Sequence, residues 1–306
     1  MKNKLVTLIG GGGFLGRYVA QELLRRGVRI RIVQRRPRDA WFVKPQGGLG
    51  QTQFVAADVT LPDTIARAVD GSDAVVNLAG ILKGDFHGVH VKGAQTVAQA
   101  ASRAGAGAFV QVSALGADAD SPSAYGQSKA AGERVARDAF AKATIVRPSF
   151  LVGREDRFVN RFAGIIAGAP IVPVLRGALR LQPAWVVDAA EAIAVALGDP
   201  GTHGGHNYEL GGPDIMTMAE LQRWIAREIG RDSLFLDLPD PIGALLAPFA
   251  MTGDQWRMLS RDNVASAGAE GFAALGIVPT PIASVASRWL VQYRRHGRFG
   301  TLGEVA

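Results

Sequence analysis

The chain contains no cysteine. Disulfides, thiolate nucleophiles and Cys-ligated metal centres are excluded with it, although compartment is not, because many secreted proteins lack the residue too. No uninterrupted apolar run reaches about 18 residues, so a membrane-spanning helix is not expected. Met1 to Thr7 passes directly into "LVTLIG" without the charged, apolar and small-residue layout of a secretory signal. These absences predict a soluble cytoplasmic protein. Acidic residues are also fewer than basic ones, 27 against 34, which leaves a net charge of +7. Such an excess invites a polyanion, whether nucleic acid, anionic lipid or a phosphorylated cofactor. Seven arginines lie between Arg25 and Arg38, and Arg294, Arg295 and Arg298 close the chain. The basic and aromatic interleaving of a platform for single strands is missing, so no nucleic-acid partner is expected.

What the chain does have is 306 residues that are 48% hydrophobic, enough to bury the core of a two-lobed protein. Its first half alternates apolar runs with helical patterns. The runs are 5–10, 29–34, 52–57, 74–80, 108–114 and 143–149, with helical periodicity over 16–26 and 89–104. Each pair is far enough apart for a crossover, so the expected fold is α/β: a doubly wound parallel (Rossmann) sheet over residues 1–150, with a ligand crevice at the carboxyl ends of its strands. After Val152 the pattern loosens into helices, short strands and Pro-rich turns. A smaller, mostly helical C-terminal lobe is expected over 151–306, with 183–197 returning to the first domain.

The first strand ends in "LIGGGGFLG". Gly10 would permit the tight turn, Gly13 would let backbone approach a pyrophosphate, and Gly16 would let the helix lie close to the sheet, its free N–H groups facing the anion. The alternative is a mobile surface turn. Its place between the first strand and first helix of a doubly wound pattern decides for a dinucleotide. At the end of the next strand, "VQRRPR" puts Gln34 where an NAD site usually has an acid, and Arg35 and Arg36 where a 2′-phosphate would be gripped. NADP(H) is therefore expected over NAD(H), a solvated basic loop being the other reading. Asp58 would sit near the adenine edge and Asn77 to Gly80 would line the cofactor, unless both are strand-end caps.

These glycines, "NLAG" after the fourth run, and "YGQSK" with Tyr125 and Lys129 resemble the short-chain dehydrogenase/reductase superfamily, extended type. "RPSFLVGREDRFVNRFA", "VVDAAEAIAVAL" and "SRDNVASAGAEGFAALGIVPTPI" resemble a narrower branch of atypical members, related to the nucleotide-binding accessory subunit of respiratory complex I (alpha subcomplex subunit nine) and to coenzyme Q biosynthesis-associated proteins. The resemblance implies Tyr125 as the acid/base that passes a proton to or from a carbonyl. It implies Lys129 as the residue that binds ribose and lowers the tyrosine pKa; their spacing puts both on one helix face. It implies further cofactor contacts at Phe14, Leu15, Val59, Leu78, Ala79, Gly80, Pro148 and Ser149. The family's serine corresponds to Ser113 in "VSALGAD", but Ala114 and Leu115 follow where the working hydroxyl generally lies, so Ser113 either meets substrate or bonds backbone. The family's helix-four asparagine is His90 here. Two function classes stay open: an NADPH-dependent oxidoreductase acting on a carbonyl or a hydrophobic quinone-type ligand, and a non-catalytic assembly or stability factor that holds NADPH as a structural part. The branch's members also suggest a membrane surface or a respiratory-complex partner, with peripheral attachment at the inner face of a membrane.

Other residues carry paired readings. His87 and His90 are three apart and chelate in principle, but with no accompanying ligand set no metal is expected. His203 and His206 read as loop residues before a strand, and Asp188 as the cap of the helix that follows it. "REDRF", Arg154 to Phe158, is either an ion-paired structural loop or part of a substrate entrance. The apolar, Pro-broken segment Leu234 to Met251 is either core or an interfacial surface for a membrane or a lipid-tailed ligand.

Overall fold

A computed structural model describes residues 1–295 and 297, together with the backbone but not the side chains of Phe249 and Ala250; Arg298 lies outside the described residues. The chain forms two compact units. The first comprises Met1–Pro148, Val186–Leu210 and Ser266–Val278. Its strands are β1 (Leu5–Ile9), β2 (Arg29–Gln34), β3 (Thr52–Ala56), β4 (Ala74–Asn77), β5 (Ala108–Val112), β6 (Thr144–Pro148) and, after the chain returns, Asn207–Leu210. All seven pair in parallel, in the order β3-β2-β1-β4-β5-β6 followed by the returning strand. The doubly wound expectation holds. Val, Ile and Leu dominate these strands because both faces are covered, and Val6, Leu8, Ile30, Ile32, Val75 and Ile145 are fully buried. Each such side chain contributes roughly 1.5–3 kcal/mol on burial.

The connecting helices are α1 (Phe14–Arg25), α2 (Pro62–Val69), α3 (Gly93–Arg103), α4 (Ala124–Ala139), and in the returning segment Val186–Gly198 and Pro200–His203. Helix α1 packs against Val186–Gly198, while α2, α3 and α4 pack side by side. The expected strand 74–80 stops at Asn77, because the chain must leave the sheet there for the backbone of Leu78 and Ala79 to meet the β1 turn. β1 has β2 on one side and β4 on the other, so the crossovers leave it in opposite directions and a crevice opens at the strand ends.

Two expectations change here. The basic run after the glycines is dispersed: Arg25 and Arg26 pair with Glu22 at 3.0 and 2.7 Å, and Arg31 donates to the carbonyls of Ala68 and Asp70. Asp188 is not an N-cap, since the helix begins at Val186 and Asp188 lies buried in its first turn, where a carboxylate meets the positive end of the dipole.

The second unit comprises Ser149–Trp185, Gly211–Ala265 and the chain from Pro279 onward. It holds β7 (Leu151–Val152), α5 (Val159–Gly168), β8 (Ile171–Leu175), β9 (Arg180–Leu181) and β10 (Ala184–Trp185). With the two helices of the returning segment counted as α6 and α7 and its strand as β11, the unit continues with β12 (Met216–Thr217), α8 (Met218–Glu228), β13 (Leu234–Leu238), α9 (Asp240–Ala250), α10 (Gly253–Met258) and α11 (Ser287–Leu290), besides short 3-10 turns. Its core gathers Val159, Ile166, Leu181, Leu221, Ile225 and Trp289. "REDRF" is structural at its aspartate: the buried Asp156 carboxylate accepts the amides of Phe158 and Val159 at 2.9 and 2.6 Å and so caps α5. Burial pushes its pKa up, against the amide bonds that pull it down. The segment Leu234 to Met251 is not core in the main. Of the described side chains on α9, Ile242, Leu245 and Leu246 are 48%, 74% and 39% exposed, and on the adjoining β8–β13 ladder Ile171, Leu234 and Leu236 face outward as well. No helix among the described residues is long and apolar enough to cross a membrane.

Candidate functional site

The crevice end of β1 is built by its glycines. Gly10 has φ +78°, where an L side chain is strained, and a Cβ there would stand 3.2 Å from the backbone of Leu78 and Ala79. Gly13 is exposed and caps α1 with no side chain, so the amides of Phe14, Leu15 and Gly16 precede the first helical bond, which runs from the Arg17 amide to the Gly13 carbonyl. Gly16 serves a purpose other than the expected one. A Cβ there would come within 2.6–2.7 Å of Gly11 backbone, so the missing side chain lets the helix sit on the turn, not on the sheet.

The next strand ends lie beside this turn. The Gln34 side-chain amide donates to the Arg36 carbonyl at 2.7 Å, and Arg35 and Arg36 point into solvent. Asp58 accepts the Thr60 amide and hydroxyl at 2.9 and 2.8 Å; those bonds, with the nearby charge of Arg35, hold its carboxyl below the usual range. Val59, next to it, is half-buried against the start of α3. Asn77 is a strand-end cap: fully buried, it donates to Gln111 Oε1 at 2.9 Å and accepts the Ala79 amide at 3.1 Å. Leu78, Ala79 and Gly80 leave the sheet toward the Gly10 turn, the first two half-buried and Gly80 exposed.

The third part stands on α4 and the end of β5. Ser123 caps the helix by accepting the Gly126 amide at 3.0 Å, which fixes Tyr125 in the first turn. One turn on, Lys129 is 6% exposed and donates from Nζ to the Val112 carbonyl at 2.9 Å. Contrary to the lowered tyrosine pKa that the resemblance implies, burial pushes the Tyr125 phenol up to about 12; it also pushes the Lys129 ammonium down to about 8, Glu133 opposing that second shift. Beyond Val112, Ser113 is 5% exposed and its Oγ has no hydrogen-bond partner. The backbone-bonding alternative for this hydroxyl is therefore overturned. An orphaned buried hydroxyl costs about 1–3 kcal/mol unless water or a ligand meets it, and the Gly10 to Gly13 cradle with the open amides of α1 fits the pyrophosphate of a dinucleotide. Ser149, by contrast, spends its hydroxyl on Asn263 Oδ1 at 2.7 Å, and the Pro148 carbonyl accepts the Leu115 amide at 3.0 Å.

Several contacts around Tyr125 are not readable from the sequence. His90 is buried, stacks on Phe86 and meets the Tyr125 ring edge-on at a centroid distance of 5.4 Å. Ser128, inside "YGQSK", bonds both His90 and the Tyr125 carbonyl. Arg147 of "RPS" forms a fork with Glu133 on α4 at 2.6 and 2.9 Å and reaches Glu209 at 3.2 Å, which ties the tyrosine helix to β6 and β11. His203 and His206 bond Tyr208 and Glu270, each at 2.8 Å, and belong to the framework.

A family model described as NAD dependent epimerase/dehydratase matches residues 6–211. The chain is 32% identical to NADH dehydrogenase (ubiquinone) 1 alpha subcomplex subunit 9 of Arabidopsis thaliana, covering 97% of this chain and 80% of that one. It is 32% identical to a ceramide reductase of Caulobacter vibrioides, over 84% of this chain and 79% of that one. Its fold is similar to that of an Escherichia coli NADPH-dependent quinone oxidoreductase solved with NADPH, with a TM-score of 0.75, 21% identity and coverage of 92% and 99%.

Proposed function

Because this chain belongs to the NAD dependent epimerase/dehydratase family, the extended short-chain dehydrogenase/reductases, and is related to subunit 9 of respiratory complex I, we propose that it is an NADP(H)-dependent oxidoreductase acting on a hydrophobic carbonyl or quinone-type substrate. The observation that carries this reading is the buried, unpartnered Ser113 hydroxyl one residue past the carbonyl that anchors Lys129. The glycine turn and the uncapped amides of α1 would take the pyrophosphate, and Arg35 and Arg36 the 2′-phosphate. A bound nicotinamide supplies or takes up the hydride. Tyr125, with its pKa pushed up to about 12, holds its proton at neutral pH and is suited to deliver it to a substrate oxygen that Ser113 orients. Lys129 is mostly cationic at pH 7 and stabilises the phenolate left behind. A hydrophobic substrate accords with relatives named as a ceramide reductase and a quinone oxidoreductase.

The test is oxidation of NADPH by the purified chain against a panel of quinones and ketones. Turnover that disappears in Tyr125→Phe is expected. NADPH that persists against the whole panel, while still raising thermal stability, overturns the enzyme in favour of a stability factor with a structural cofactor. That second reading draws on His90, which replaces the family's asparagine and has both ring nitrogens engaged inside the protein.

The exposed apolar side chains of α9 favour peripheral attachment to a membrane or respiratory partner. Co-flotation with vesicles, lost in Leu245→Ser, is the expected result; no flotation removes the membrane from the reading.

A further inference from the structure

His90 stands at the position of the family's helix-four asparagine, and its hydrogen-bond partners fix its chemical form. The Ser128 hydroxyl has one proton, and it donates that proton to the Tyr125 carbonyl three residues earlier at 2.7 Å. Its 2.8 Å contact with His90 Nδ1 must then be a bond it accepts, so Nδ1 carries hydrogen. On the other side of the ring, the Ile81 amide donates to Nε2 at 3.0 Å, so Nε2 carries none. Only the neutral, Nδ1-protonated imidazole satisfies both partners, and an imidazolium would set a proton against the Ile81 N–H.

The backbone around the ring is shaped to this arrangement. Residues His87–Lys92 form one π-helical turn at the start of α3, a rare geometry that is frequent at functional sites. Asp85 closes the turn by accepting the Gly88 amide at 2.8 Å. α4 presses on the turn so closely that a Cβ at Gly132 would strike the His90 carbonyl. Phe86 stacks on the imidazole with centroids 5.5 Å apart, and both rings present themselves edge-on to Tyr125.

We propose that His90 is a positioning residue: its two ring nitrogens clamp the loop after β4 to the first turn of α4, and so hold the Tyr125 ring in register with the backbone at Leu78 to Ile81. Under the oxidoreductase reading, on which the catalytic part of this inference rests, that register aligns the tyrosine with the nicotinamide. A lone imidazole of this kind does not relay protons, because each of its nitrogens is already spoken for.

Histidine-ring nitrogen NMR on the full chain tests the clamp, with His90 assigned by its loss in His90→Phe. An Nδ1–H tautomer that does not titrate between pH 8 and 5 is expected. His90→Phe keeps a ring between Phe86 and Tyr125 but removes both hydrogen bonds; exchange of the Ile81 amide should rise, and NADPH affinity should fall, each about tenfold. Should that variant fold poorly, Ser128→Ala removes the Nδ1 acceptor together with the bond to the Tyr125 carbonyl; NADPH affinity should fall, while the Ile81 amide, still bonded to Nε2, keeps the Nδ1–H tautomer. An Nε2–H tautomer, titration near the ordinary histidine value, or wild-type exchange and affinity in His90→Phe would overturn the proposal. If the wild-type chain binds no nicotinamide cofactor, the oxidoreductase reading fails by itself, and tautomer and Ile81 exchange still decide the clamp.

Discussion

Lys129 Nζ donates to the carbonyl of Val112, the last residue of β5, at 2.9 Å. One side-chain bond thereby joins the helix that bears Tyr125 to the strand end that bears Ser113. The joint places a cation in a buried site, and that placement has a measurable signature.

Burial lowers the Lys129 pKa from 10.5 in the unfolded chain to about 8. The native state thus disfavours the proton, and the associated stability is present above 10.5 and lost as pH falls through 8. Lys129→Met abolishes this proton linkage. In urea titrations from pH 10 down to 7, the wild type should lose stability relative to the variant; a constant difference would show that Lys129 is solvated in the native state.

Ser113→Ala should be neutral or stabilising by up to about 1 kcal/mol in the ligand-free protein, since it deletes a buried hydroxyl that bonds nothing. The same variant should slow NADPH oxidation in the quinone and ketone assay. Chemical denaturation gives the first figure, and a loss above about 1.5 kcal/mol would mean that the hydroxyl has an internal partner.

Replacing Arg35 and Arg36 together with Ala should weaken NADPH by at least about tenfold and leave NADH within a factor of about two, the difference expected of charge-assisted bonds to one phosphate. Both side chains are exposed, so folding should be unaffected. Equal losses for the two nucleotides, read by fluorescence titration, would remove the 2′-phosphate assignment.

Arg147→Met leaves Glu133 and Glu209 facing each other without their shared cation. Breaking such a pair costs about 2–3 kcal/mol here, less than for a fully buried one because the Arg147 side chain keeps 23% exposure. Urea denaturation checks it. Because the fork holds α4, Lys129 chemistry should be disturbed as well, seen as a shifted pH profile for NADPH binding. A stability change under about 0.5 kcal/mol would demote the fork to a surface contact.

Much of this was legible in the sequence wherever the signal was local. Alternation of apolar runs with helical periodicity was enough for the parallel sheet, "LIGGGGFLG" for the turn at the end of β1, and the four-residue spacing of Tyr125 and Lys129 for a shared helix face. The purpose of Gly16 was misread because its close neighbour, Gly11, is in the turn and not across the sheet. The apolar segment at Leu234 to Met251 admitted core and surface equally, because hydrophobicity alone does not say what covers a helix.

Periodicity, turn glycines and helical spacing act over a few residues, so the sequence by itself determined the doubly wound fold, the cradle and the tyrosine–lysine pair. Tertiary structure decided which polar groups are satisfied. His90 and Ser128 lie 38 residues apart, Lys129 and Val112 17, and Arg147 and Glu209 62. Whether a buried hydroxyl or imidazole finds a partner depends on chain segments that meet only after folding, and for that reason Ser149 and Ser128 are engaged while Ser113 is left open.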